Sequence, residues 1–169
     1  MKKTPAAVIA FGGMMAAVAM VIMNLVGLIP VATFVCPMFC MIILTLVIRF
    51  CGSRIGWAWY GAVAILSALL APDKEAAAIF VFLGYYPLLK PDLDKLKCGF
   101  VLKFLFFNTV ILLMYWLLIN LFGLTQVAQE YRGLGFAMTV FTLLTGNITF
   151  FMLDKILSRI AIMNKWGRK

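Results

Sequence analysis

Long apolar runs, broken by short clusters of charged and turn-forming residues, make up almost all of this 169-residue chain. The runs are too long for strands and carry no strict alternation, so each reads as a helix, and about 20 apolar residues are enough to cross a bilayer. The first run covers 6–28, and Gly27 and Pro30 mark its end. The second covers 31–50, with Pro37 in its first turns, and a polar turn follows over 49–54. The third covers 55–71 and is broken by Pro72, Asp73, Lys74 and Glu75. The fourth covers 76–89, with Gly84 and Pro87 as expected kinks. The stretch 90–97 reads as the longest hydrophilic loop. A fifth run covers 100–122, and a loop over 123–133 carries Gln126, Gln129, Glu130 and Arg132. The sixth covers 134–163, its last part amphipathic. The pattern predicts an all-α membrane protein of six transmembrane helices in a single domain, 1–169, with no internal repeat.

Composition strengthens this reading. Hydrophobic residues are 65% of the chain and charged ones 12%, against about 45–50% and about 25% in soluble domains. One small core cannot hide such an excess, so it is expected to face lipid. The net charge of +9 does not point to nucleic acid, because the basic residues sit at the ends of the apolar runs. With the N terminus inside, only Lys74 and Arg132 of the 15 basic residues fall outside. That sorting predicts both termini in the cytoplasm and the chain in the cell membrane. The first run is longer than the roughly 7–15 apolar residues of a signal peptide, so it reads as a retained helix.

The chemistry on offer is sparse. There is no His, and Asp and Glu total 6, which removes the commonest general base and metal ligand. Asp92, Asp94 and Asp154 are expected at the cytoplasmic boundary rather than paired in mid-membrane. No enzyme activity, metal or cofactor is therefore expected. Cys36 and Cys40 share a helix face, but the Met residues are too scattered for a copper site. Cys51 and Cys98 fall on the side where thiols stay reduced.

The third and fourth runs are short. Roughly 17 residues rise about 25 Å, less than a hydrocarbon core of about 30 Å, so the turn joining them is expected to lie recessed. It holds Asp73, Lys74 and Glu75, which makes them candidate ligand-binding residues. The structural alternative is that Asp73 and Glu75 cap the following helix. Asn24 and Asn120, near the same membrane face, are the neutral candidates for that site, whereas Asn108 and Asn147 read as interhelical hydrogen-bonding residues or ligand contacts. Trp57, Trp59, Tyr60, Tyr85 and Tyr86 read as interfacial anchors.

On the first helix Ala6, Ala10, Gly13 and Ala17 follow at spacings of four, three and four and form one small-residue face, with Gly12 and Ala16 on the neighbouring strip. Such faces permit close helix contact in lipid, within the bundle or with a separate partner. The six-run size, this opening from Ala6 through Ala17, and the turn Gly27–Val31 resemble the substrate-binding subunits (S components) of energy-coupling factor transporters. The resemblance covers almost the whole chain at the level of pattern. It implies capture of a small micronutrient-like solute near the outer face. It also implies a transmembrane coupling protein and ATPase subunits as partners, docked through Ala6, Ala10, Gly13 and Ala17. The alternative is a non-transport assembly or lipid-organising factor without a small-molecule ligand. A small ion-coupled carrier is disfavoured by the lack of mid-membrane acids.

Overall fold

The structure, a computed structural model, describes residues 4–26, 32–95, 99–120, 140 and 143–160. All of its regular structure is helical among these residues: α1 Pro5–Leu25, α2 Ala32–Cys51, α3 Ser53–Leu70, α4 Lys74–Leu83, α5 Tyr86–Leu93, α6 Gly99–Asn120 and α7 over 143–160. The Gly27–Val31 turn, Lys97, Cys98, the 123–133 loop and the start of the sixth apolar run lie outside the described residues.

Three helices, α1 to α3, are long and apolar enough to cross a membrane, and Leu102–Leu117 of α6 is a shorter apolar helix. Pro5 opens α1 at a position where its missing N–H costs no hydrogen bond. The polar turn expected over 49–54 contracts to Gly52, whose φ of 93° is open to glycine and strained for other residues. Arg49 therefore closes α2, and Arg54 already belongs to α3.

The fourth apolar run is not one helix. α4 ends at Leu83, and a new helix, α5, begins at Tyr86. A Cβ at Gly84 would press on the Phe80 carbonyl oxygen and come within 3.0 Å of the Tyr60 ring, so the chain turns where only glycine fits. The loop expected over 90–97 is corrected over its first four residues. α5 runs through Pro91 to Leu93, and Lys90 is buried.

α2 occupies the middle of the bundle and packs against α1, α3, α4 and α5. Met38, Cys40, Met41, Leu44 and Val47 carry its buried face. Tyr86, Phe107 and Phe150 join α5, α6 and α7, with the Phe107 and Phe150 rings stacked at 4.5 Å. The exterior is apolar: Ile9 is 75% exposed, Leu69 72% and Trp116 65%. Soluble monomers rarely leave apolar area of this extent open to water.

Candidate functional site

The turn between α3 and α4 brings three charged side chains together, and each has a partner within the bundle. Asp73 is the N-cap of α4, where its Oδ1 accepts from the Glu75 and Ala76 N–H groups at 2.9 and 3.2 Å. Its second oxygen accepts from the Thr33 hydroxyl of α2 at 3.0 Å. Lys74 reaches back over the end of α3 and donates to the carbonyls of Ala68 and Leu69 at 3.1 and 3.4 Å. A cation there meets the negative end of the helix dipole. Glu75 accepts from the Tyr115 hydroxyl of α6. Tyr115 lies five residues before the end of α6, which sets the turn roughly 7 Å short of that end at ~1.5 Å per residue. Asp73 and Glu75 are half-buried and Lys74 is exposed.

The two asparagines do not join this turn in the same way. Asn24 is exposed, and its amide donates to the Met20 carbonyl one turn back. Val26, two residues on, packs with Ala76 at the start of α4 and with Cys36 of α2. Two residues turn a helix by about 200°, so Asn24 faces away from the turn. Asn120 is the last residue of α6, and its side chain lies outside the described residues.

Ala6, Ala10, Gly13 and Ala17 are all exposed, and a Cβ on Gly13 would meet nothing within 4 Å. α1 packs into the bundle through another strip, Gly12, Ala19 and Met23. The Gly12 carbonyl accepts from the Trp59 indole N–H at 3.1 Å. Five helical turns separate residues 18 apart, so Asn24 belongs to the outward face that begins at Ala6.

A second polar group, at the opposite end of the bundle, is missing from the sequence reading. Asp154 of α7 accepts from the Tyr86 hydroxyl at 2.5 Å and from Lys90 of α5, and Lys103 of α6 lies 3.3 Å away. Lys103 also bonds Asp94, which pairs with Lys90 at 3.6 Å. Lys90 and Lys103 are buried to 6% and 8% exposure. Two ammonium groups thus face two carboxylates, and each supplies the partner that makes burial of the other tolerable. Lys90 and Asp94, four apart, and two charges inside apolar runs, Lys103 and Asp154, were the available signals.

Several aromatic residues are corrected with it. Trp59 and Tyr86 are buried, and Tyr60 bonds the Val81 carbonyl, so these three act inside the bundle rather than as interfacial anchors. Asn108 and Asn147 exchange amide hydrogen bonds at 3.1 and 3.0 Å, which ties α6 to α7. Among the described residues no three His, Cys, Asp or Glu side chains converge as a metal site would require. Cys40 is buried, with its thiol 3.6 Å from the Ala19 carbonyl. No family model, curated protein or solved structure matches the chain.

Proposed function

We propose that this chain is the membrane-embedded, substrate-binding subunit of an importer of the energy-coupling factor type. In this reading it crosses the cell membrane six times, with both termini in the cytoplasm. It captures a small micronutrient-like solute from outside. A transmembrane coupling protein and ATPase subunits supply the energy. One observation carries the reading: Ala6, Ala10, Gly13 and Ala17 face outward from the bundle, while α1 packs internally through Gly12, Ala19 and Met23. A small-residue face turned to the membrane lets a partner helix approach closely, and contact of that kind drives association in lipid. The solute site is placed at the α3–α4 turn, where Asp73, Lys74 and Glu75 offer both signs of charge. Asn120 is kept as a neutral contact, and Asn24 moves to the outward face of α1.

The test is affinity purification from native membranes. The wild-type chain should bring down a second transmembrane protein and ATPase subunits. Ala10→Leu and Gly13→Leu should each lose them without lowering the melting temperature. Wild-type protein that purifies alone would end the importer reading.

A second reading, a non-transport assembly or lipid-organising factor, draws on the partners of the turn itself. Asp73 caps α4, Lys74 caps α3 and Glu75 binds Tyr115, an arrangement that suffices as structure. Native mass spectrometry separates the two readings. A retained small molecule that Asp73→Ala releases favours the importer, and a protein that never retains one favours the second reading.

A further inference from the structure

Two grooves lie end to end along one pair of helices, α2 and α7. The first, of about 290 Å³, is wholly apolar and is walled by Val35, Phe39 and Ile42 of α2 and by Met152, Leu153 and Ile156 of α7. The second, of about 270 Å³, continues from Thr45 to Arg49 and from Leu157 to Ile160, and its floor is closed by Lys90 and Asp94 of α5. The groove is therefore apolar for most of its length and charged at one end.

The charge at that end does not cancel. Lys90 and Lys103 are matched by Asp94 and Asp154. Arg49 is the third basic group there, and it has no hydrogen bond or ion pair with any described residue. Among the groove's lining residues and the ion-paired groups behind them, three cations face two anions, which leaves one positive charge, held by a half-buried guanidinium in the last turn of α2. A planar guanidinium is suited to two hydrogen bonds with a phosphate. From Phe39, in the wall of the apolar groove, to Arg49 the helix rises about 15 Å at ~1.5 Å per residue. One leaflet contributes about 15 Å of hydrocarbon, half of a core of roughly 30 Å. Arg49 thus falls at head-group level when the apolar groove holds a chain.

We propose that the α2–α7 crevice binds one anionic glycerophospholipid, with an acyl chain in the apolar groove and its phosphodiester on Arg49. The site rests on the membrane-spanning reading but not on the importer reading, and a failed partner purification leaves it untouched. Its test is a native mass-spectrometry titration of the purified protein with phosphatidylglycerol and phosphatidylcholine of equal chain length. One basic residue contributes about fivefold in affinity for an anionic lipid, so the wild type should prefer phosphatidylglycerol by about that factor. Arg49→Gln should remove the preference, Arg49→Lys should keep most of it, and Arg54→Gln on exposed α3 surface should leave it intact. Ile156→Trp, at a partly exposed position in the groove wall, should weaken both lipids, and it keeps the test open if Arg49→Gln does not fold. Glycerol phosphate, which has the head-group phosphate and no chains, should not compete; competition would make this a free-anion site and overturn the proposal. Equal binding of the two lipids, unmoved by Arg49→Gln or by Ile156→Trp, would overturn it as well.

Discussion

Asp154 holds two buried lysines and a tyrosine hydroxyl at once, so its removal leaves charge stranded among apolar side chains. Asp154→Asn should cost about 3–5 kcal/mol, the usual result of leaving a buried ion without its partner. Asp92→Asn removes an exposed pair with Lys95, in which both side chains are about three-quarters open, and should cost under about 1 kcal/mol. Denaturation of both variants in detergent, followed by circular dichroism, compares them directly; equal losses would mean that the Asp154 network is solvated. Asp73→Ala should cost about 1–2 kcal/mol through the lost cap, and Asp73→Asn should keep most of it. The two sites differ in how far the sequence reveals them. A cap is made by neighbours, so Asp73 three residues before an apolar helical run announces itself as one. The Asp154 group joins residues as far as 68 positions apart. Only the packing of α5, α6 and α7 brings them together, and in the sequence the same charges look like a solvated boundary.

Individual helices test the packing of α1 and the break after α4. Gly13 is helical and its neighbourhood is open, so Gly13→Ala should stabilise the isolated protein by up to about 1 kcal/mol, the helix-propensity difference. Gly84→Ala should instead cost about 1–3 kcal/mol, because the added methyl overpacks the turn against Phe80 and Tyr60. Melting temperatures in detergent read both; a destabilising Gly13→Ala would mean that the small face is packed inside the bundle. The apolar runs over 6–28, 31–50, 55–71 and 100–122 were legible because each is long and uniform, and helices occupy most of each. The boundary after α4 was half legible. Gly84 was visible as a kink, but its full break depends on the Tyr60 ring from α3, which no local pattern contains. The first half of the 90–97 stretch departs from a loop for a related reason. Its charges resemble a loop, yet Lys90 turns inward to meet Asp154, and the pairing lets α5 continue.

For the molecule as a whole, the arrangement of charge carries a prediction about the membrane. Lys90, Asp94, Lys103 and Asp154 gather at one end of the bundle, with Lys95 and Asp92 exposed beyond them. The other end carries the α3–α4 turn, whose one lysine, Lys74, is tied to α3 carbonyls. Loops rich in Lys and Arg stay in the cytoplasm, so the proposed topology has the Lys95 end inside and the 123–133 loop outside. An apolar exterior fits lipid on either orientation, so exposure of the helices does not decide between them, and accessibility of the two ends does. With the 4 native cysteines replaced, Lys95→Cys should stay unlabelled by an impermeant thiol reagent in intact cells and react once the cells are opened. Gln129→Cys should react in intact cells. Lys95 is a sound probe because its side chain is 74% exposed and its partner, Asp92, is as open, so its replacement leaves the buried network in place. Labelling of Lys95→Cys in intact cells, with Gln129→Cys protected, would invert the protein in the membrane and move the α3–α4 turn to the cytoplasm. Labelling of both positions from outside would remove a span and with it the six-span arrangement.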